Sequence, residues 1–484
     1  MMQQDPYWES FGKCLNGSVV GVELGNSISL SSDGNFLVTE SDIGVFLNEY
    51  DSQIGWTQRF DFSDFLIDPG MNGKYEVVIS SDGSRIAVGA PFNEENGSRS
   101  GAVQVFEKQN NTQTWSQIGS TLYGDEASDT YGYSLDLSEN GDKIIIGAFV
   151  GNYVEILKYE EETSSWVREK LYQGNLDGYG YSVAISGAGD RVVVGAPFEK
   201  NSVGAVRFYD IETDSFVETI NGASVGDEYG KTVDMSQDGT IAAIGAPGND
   251  QVLLFQHDID SNEWQQVGRT INGTNGEGFG SSLSLSEDGS AVVIGAPFFG
   301  AGNAYVYKYD DDWVQVGEGI FGENSGDSCG TSVALSSNNV NINIVVGCPE
   351  EDSEGPNAGQ VCAYYLFFPS SSPSQQPSAW SSLYPSESPS VSTIPSLYPT
   401  QIPSLSVFPS SFPSHLPSIS PTLLSSQPPS KSSFPSLYPS QYPSQYPSLG
   451  FTEIPTTDTL FADPDRDPVK ETIVQIFSLA FVFF

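Results

Sequence analysis

The sequence predicts an all-β fold: a seven-bladed β-propeller of four-stranded blades, followed by a disordered Pro/Ser-rich tail. Three observations carry this reading. A segment of the type Gly180-Tyr181-Ser182-Val183-Ala184-Ile185, leading to Val192-Val193-Val194-Gly195-Ala196-Pro197, recurs with drift along the chain. Its apolar triplet closes at Gly89, Gly147, Gly195, Gly245, Gly295 and Gly347, after a degenerate first copy ending at Val38-Thr39. The interval is about fifty residues, and a strand-rich period of that length marks a propeller-type array. Turns such as Asp33-Gly34, Asp82-Gly83 and Asp288-Gly289 separate the first two apolar runs, because glycine accepts the positive φ a tight hairpin needs.

Each unit then reads as four strands. The first alternates, as in Ile28/Leu30, Val77/Ile79, Leu135/Leu137 and Val183/Ile185; period two places these side chains on one face. The second is apolar without alternation, as expected of a strand covered on both faces. The third is typified by Val103-Gln104-Val105-Phe106 and Val206-Arg207-Phe208-Tyr209, and the fourth centres on Trp56, Trp115, Trp166, Phe216, Trp264 or Trp313. That leaves the seventh unit one strand short. The stretch Asp5-Pro6-Tyr7-Trp8-Glu9-Ser10-Phe11-Gly12 resembles Asp311-Asp312-Trp313-Val314-Gln315-Val316-Gly317. The amino terminus is therefore expected to supply the outer strand of the last blade and close the ring, since an open ring exposes faces that neighbouring blades bury.

All four cysteines fall in that composite blade. Antiparallel order brings the start of its first strand, the end of its second and the end of its fourth to one edge. The expected pairs are Cys348 with Cys362 and Cys14 with Cys329, although four cysteines allow three connectivities. Disulfides fit an oxidising compartment; four buried thiols are the alternative.

With 19 Lys+Arg against 62 Asp+Glu, the formal net charge is -43. Nucleic acid is excluded as a partner and an anionic membrane surface is disfavoured, because like charges repel. Two histidines, His257 and His415, do not furnish a His-rich zinc site or a Ser-His-Asp triad. The first residues lack the apolar run of a signal peptide, so a secreted chain implies an upstream start or unconventional export. Sequons stand at Asn16, Asn96, Asn110 and Asn272 as N-glycosylation candidates, a number chance also gives.

The aromatic-Gly pairs Tyr131-Gly132, Tyr179-Gly180, Tyr229-Gly230 and Phe279-Gly280, in register with Gly-Ala-Pro at 89–91, 195–197, 245–247 and 295–297, resemble the FG-GAP repeat. That repeat builds the seven-bladed propeller of integrin α subunits and related secreted proteins. The resemblance covers residues 5–366 and implies an extracellular or cell-surface adhesion or matrix-binding role for a protein or glycan ligand. Leu24-Gly25, Gly73-Lys74 and Cys329-Gly330 depart from the aromatic-Gly pair; Thr39-Glu40, Ala148-Phe149 and Cys348-Pro349 depart from Gly-Ala-Pro. Relatives often hold calcium in an Asp-rich loop between the first two strands. Here that loop is a short Ser-x-Asp-Gly hairpin, with too few carboxylates for the six to eight oxygens calcium takes. No motif requires a cofactor; calcium remains the cation to test.

Loops after the second and fourth strands are expected to open on one face, where the resembled family binds its ligands. They carry Glu94, Glu95, Asp125, Glu126, Asp129, Asp177, Asp227, Glu228, Glu277, Asp327, Glu350, Glu351 and Asp352, beside Tyr131, Tyr179 and Phe279. Two readings compete: a solvated acidic rim, or a surface for cations, a cationic partner or glycan hydroxyls, with the aromatic rings as stacking platforms. On the opposite face, Asp258, Asp260 and Glu263 are a weak metal candidate, because their loop lacks the glycine an EF-hand-like turn requires. Paired carboxylates also admit a secreted carbohydrate-active or other hydrolytic enzyme, the rival of a non-catalytic head.

Residues 369–449 are Pro/Ser-rich, a composition that forms neither helix nor core. They read as a spacer, an O-glycosylated stalk or a plain linker, with Tyr-Pro-Ser steps suited to a wall or matrix polymer. A polar acidic spacer, 450–472, precedes the apolar run 473–484. That run is too short to span a bilayer and is compatible with a glycolipid-anchor signal, a truncated membrane helix or a gene-model end.

Overall fold

The computed structural model describes residues 6–68, 74–109, 114–174, 178–337 and 342–367. The chain divides into residues 1–382 and 383–484; the Pro/Ser-rich segment, the acidic spacer and the terminal apolar run lie outside the described residues.

Seven antiparallel sheets follow one another, each with its strands in chain order apart from the last. The innermost strands are Ile28–Leu30, Glu76–Ile79, Tyr131–Leu137, Ser182–Ile185, Thr232–Met235, Ser282–Leu285 and Ser332–Ser337. Each touches the next, and the last touches the first. This is a closed seven-bladed propeller. Blade 7 takes its outer strand from the amino terminus: Tyr7–Ser10 runs antiparallel to Gln360–Phe367, with Trp8 opposite Leu366 and Ser10 opposite Tyr364. Leu15 and Asn16 continue the pairing opposite Val361 and Gln360. Phe11 then reaches across the closing seam and stacks on Tyr50 of blade 1, with centroids 3.8 Å apart.

Alternation along the strands sends side chains to both faces of each blade, so the core is not one mass but seven apolar layers, one per seam. The layer between blades 5 and 6 holds Val252, Leu254, Phe279, Val292 and Ile294. Each fully buried side chain of this size contributes on the order of 1.5–3 kcal/mol, which is why the second strands tolerate no polar alternation.

The recurrent glycines set how closely blades approach. A Cβ on Gly195 would lie 2.1 Å from the Gly230 carbonyl oxygen, and one on Gly295 2.1 Å from that of Gly330. The same meeting recurs as Gly89 with Gly132, Gly147 with Gly180, Gly245 with Gly280 and Gly347 with Gly25. A hydroxyl locks five of these six approaches, among them Ser182 Oγ donating to Gly230 O (2.8 Å), Thr232 Oγ1 to Gly280 O (2.8 Å) and Ser332 Oγ to Gly25 O (2.6 Å); at Gly89 with Gly132 the position is Glu76. The aromatic-Gly and Gly-Ala-Pro motifs are thus two halves of one inter-blade joint.

Outer strands come in two forms that the sequence distinguishes. In blades 2, 5, 6 and 7 they break at Gly119, Gly268, Gly317 and Gly12, all with positive φ. Blades 1, 3 and 4 lack that glycine and run through on a bulge, as between Phe208 and Tyr209.

The disulfides correct one expectation. Cys14 is joined to Cys362 (Cα–Cα 4.3 Å) and Cys329 to Cys348 (4.0 Å), not Cys348 to Cys362 and Cys14 to Cys329. The common edge was right, but register decides partners. Ser10 faces Tyr364 and Leu15 faces Val361, which leaves Cys14 beside Cys362. Ser332 faces Gly347, which brings the preceding Cys329 beside Cys348. One bridge fastens the closing strand and the other fastens the two inner strands. Both place the chain in an oxidising compartment.

Candidate ligand face and axial mouth

The loops after the second and fourth strands do share a face, because they hydrogen-bond to one another. Ser128 N donates to Ser98 O (2.8 Å), Gly226 N to Ser202 O (3.0 Å), Gly326 N to Gly300 O (2.8 Å) and Gly21 N to Pro356 O (2.9 Å).

The predicted carboxylates on this face separate into two groups. Asp129, Asp227, Glu277, Asp327 and Glu351 are buried and hold their own loops. Asp129 Oδ2 accepts from Glu126 N (2.8 Å) and the Tyr153 hydroxyl (3.0 Å). Asp227 Oδ2 accepts from Ser224 N (2.7 Å), Asp327 Oδ2 from Asn324 N (2.7 Å) and Glu277 Oε1 from Thr274 N (2.5 Å). Each bond closes a three-residue loop, satisfying an amide that the turn would otherwise leave buried. Glu351 similarly accepts from Ser353 N (2.9 Å). The remaining acids, Glu94, Glu95, Asp125, Glu126, Glu350 and Asp352, are exposed, and Glu228 pairs with Lys231 (2.7 Å). Asp177 lies outside the described residues.

Tyr131, Tyr179 and Phe279 are corrected outright as stacking platforms. Their rings are 1%, 0% and 1% exposed and fill the blade seams. Tyr131 donates to Glu155 Oε2 (2.7 Å) and Tyr179 to the Tyr209 hydroxyl (3.0 Å).

The Ser-x-Asp-Gly hairpins are architectural. Asp288 Oδ1 accepts from Ser286 Oγ (2.7 Å) and Ser290 N (3.0 Å), and Asp33, Asp82 and Asp238 repeat the arrangement. On the opposite face, Asp258 Oδ1 accepts from Asp260 N (2.9 Å). These amides hold the Asp258 carboxyl below the usual range and commit it to its turn. Among the described residues no group of three or more His, Cys, Asp or Glu is arranged to hold a metal, so Asp258, Asp260 and Glu263 do not converge. Of the sequons, Asn16, Asn96 and Asn272 are exposed; Asn110 is outside the described residues.

The axis has its own polar logic. The inner edge of a propeller leaves N–H groups without a sheet partner, and side chains of the neighbouring blade supply one. Ser29 Oγ accepts from Ile79 N (3.0 Å) and Ser284 Oγ from Leu335 N (3.2 Å). Blades 2 and 4 carry Val78 and Ala184 at this position, with no acceptor to offer. The blades after them carry Asp136 and Asp234, each serving two amides. Asp136 accepts from its own Leu137 N (2.8 Å) and from Ile185 N (2.8 Å); Asp234 accepts from Met235 N (2.7 Å) and Leu285 N (2.6 Å). Burial pushes Asp136 up to about 8, Asp234 to about 6 and the nearby Glu76 to about 7.

One seam breaks the glycine rule. Between blades 1 and 2, Glu40 stands where the other second strands have glycine. It is fully buried; Oε1 accepts from Tyr75 N (3.1 Å) and Oε2 has no hydrogen-bond partner. Burial pushes this carboxyl up to about 8, against the pull of the Tyr75 amide and Lys74. The folded chain therefore keeps a proton that the unfolded chain releases near 4.5, and stability falls as pH rises across that window. Glu40→Gln removes the titration. Thermal melts of the two proteins should coincide near the acid end of the window and diverge in favour of Glu40→Gln as pH rises through it; a gap independent of pH contradicts this.

Two features of the loop face escaped the sequence reading. At the start of the innermost strands of blades 3 and 4, Tyr133 and Tyr181 lie half-buried with centroids 4.9 Å apart, and Phe149 is 4.3 Å from Tyr133 and Phe198 5.4 Å from Tyr181. The signal was present: Phe149 occupies the proline slot of Gly-Ala-Pro, and the two tyrosines follow the joint glycine where other blades have Lys231, Ser281 or Thr331. Apolar loop tips also project to solvent, among them Val20, Phe65, Val225 (72% exposed), Phe298 and Phe299 (69%). The opposite face shows single tips such as Ile54 and Ile259. Elsewhere, a groove of about 440 Å³ lies between the outer strands of blades 5 and 6, lined by Arg269, Thr270, Ile271, Asn272, Tyr307 and Trp313; Arg269 there is paired with Asp312.

These features define a disulfide-fastened seven-bladed β-propeller with one elaborated loop face. No family model and no curated protein matches the chain. Among the described residues no helix is long and apolar enough to cross a membrane.

Proposed function

We propose that this chain is an extracellular or cell-surface adhesion or matrix-binding protein, a variant of the FG-GAP, integrin-α-like propeller presented on its Pro/Ser-rich segment. The observation that carries the reading is the row of apolar side chains left exposed at the loop tips of one face, interspersed with Glu94, Glu95, Asp125, Glu126, Glu350 and Asp352. Exposed apolar groups rimmed by polar ones mark interaction surfaces. The net charge of -43 directs the choice away from nucleic acid and toward a protein or glycan ligand. The Pro/Ser-rich segment serves as the stalk and a contact for wall or matrix polymer; the C-terminal run serves as membrane or glycolipid attachment. The head is non-catalytic. Supporting this, five of the face's carboxylates are committed to backbone amides or loop hydroxyls, which withdraws those five from the acid or nucleophile roles of glycoside hydrolysis.

The full-length chain, immobilised, should capture ligands from an array of glycans and extracellular-matrix proteins, and the double substitution Phe298→Ser, Phe299→Ser should weaken capture about tenfold, roughly 1.4 kcal/mol. Turnover of a captured glycan in a hydrolysis assay would instead establish the enzyme.

A further inference from the structure

We propose that the axial mouth on the loop face binds a neutral saccharide, one sugar ring lying against the Tyr133 and Tyr181 side while its hydroxyls meet the opposite side of the mouth. The inference deepens the reading of the head as a non-catalytic binding module and rests on it.

Topology places the site. The residue just before each innermost strand's inter-blade hydroxyl position stands where that strand enters from the loop face, and the innermost strands encircle the axis. Around the ring these residues split by chemistry. Tyr133 and Tyr181, backed by Phe149 and Phe198, make an aromatic half at blades 3 and 4. Lys231, Ser281, Thr331 and Asn26 make a polar half, all of them half-buried. Tyr75, the seventh, turns away and donates its hydroxyl to Ile67 O (3.0 Å).

A ring with one apolar C–H face and hydroxyl edges is the ligand such a divided mouth fits. Aromatic rings supply flat apolar area, and a few placed polar groups fix orientation. Ser281 Oγ donates to Gly278 O (2.7 Å) and Thr331 Oγ1 to Ser328 O (2.7 Å), so both oxygens keep lone pairs that accept from a ligand hydroxyl. Charge argues for neutrality. Lys231 offers an anion no free charge, because it is already paired with Glu228 (2.7 Å). A cation would meet Lys231, and axial carboxyls that burial keeps protonated toward neutral pH.

The test is calorimetric titration of the full-length protein with neutral hexasaccharides of glucose, xylose, mannose and N-acetylglucosamine, with choline and an oligogalacturonate as charged probes. At least one neutral hexasaccharide should bind. Tyr181→Leu, which keeps apolar bulk but removes the flat ring, should weaken it about tenfold with an unchanged melting temperature. Ser281→Ala should weaken it severalfold, and Phe299→Ser should leave it unaltered. Binding of a charged probe alone, binding indifferent to both Tyr181→Leu and Ser281→Ala, or no binding of any hexasaccharide overturns the mouth site. A partner lost with the Phe298, Phe299 substitutions but retained in Tyr181→Leu sustains the adhesive head while overturning the mouth. Hydrolysis of a hexasaccharide whose binding depends on Tyr181 sustains the mouth and overturns the non-catalytic reading.

Discussion

Removing residues 1–16 should lower the melting temperature by about 10 °C or more and broaden the transition. Three contributions are lost together. The closing strand's backbone pairs with Gln360–Phe367 disappear, exposing an edge that the fold otherwise covers. The Phe11 contact across the blade 7–blade 1 seam goes with them. The Cys14–Cys362 bridge, which closes a separation of 348 residues, is lost too; a disulfide over a loop of that length contributes about 6 kcal/mol in the chain-entropy model. For a domain of about 360 residues each kcal/mol moves the midpoint by roughly 1–2 °C. Because the layers form a ring, loosening one seam removes support from both of its neighbours. A truncated chain that melts with the parent's midpoint and width would show that the ring does not depend on this strand.

Gly195→Ala should cost about 3 kcal/mol, at the upper end of what overpacking costs. Its φ is not in the left-handed region, so the penalty is purely steric: the new methyl would sit 2.1 Å from Gly230 O and 2.2 Å from Ser182 Oγ. Backbone must move, and with it the joint between blades 4 and 5. Gly300→Ala is the matched contrast. Gly300 has φ +66° and open space around its Cβ direction, so only the conformational penalty of about 1–2 kcal/mol applies. Denaturant titration should rank Gly195→Ala as the more damaging. The reverse order would mean that conformational freedom, not close approach, is what the recurrent glycine provides.

The fold was legible because it is written seven times. A single Gly-Ala-Pro says little; in register with an aromatic-Gly pair 35 to 43 residues on, it specifies a joint. The closing strand was legible through Trp8 and Phe11-Gly12, which repeat the Trp313 and Val316-Gly317 pattern. Disulfide partners were not, because Cys14, Cys329, Cys348 and Cys362 share one edge and only strand register distinguishes among them. The accessible aromatic rings were read two residues out of place. Tyr131 and Tyr133 straddle Gly132 at an irregularity in the pairing between Tyr131 and Ser134, so one ring enters the seam and the other remains half-exposed near the axis. Acid counts misled for a similar reason: Asp129 and Asp125 look alike in sequence, yet one staples its loop and the other meets solvent.

The ring's closure by the amino-terminal strand is the claim on which the loop face, the seams and the axial mouth all depend, and peptide mapping of the native protein without reduction tests it most directly. The closed ring predicts a peptide carrying Cys14 linked to one carrying Cys362, and Cys329 linked to Cys348. Recovery of Cys14 as a free thiol would contradict the closure, and linkage of Cys348 to Cys362 with Cys14 to Cys329 would contradict the strand register.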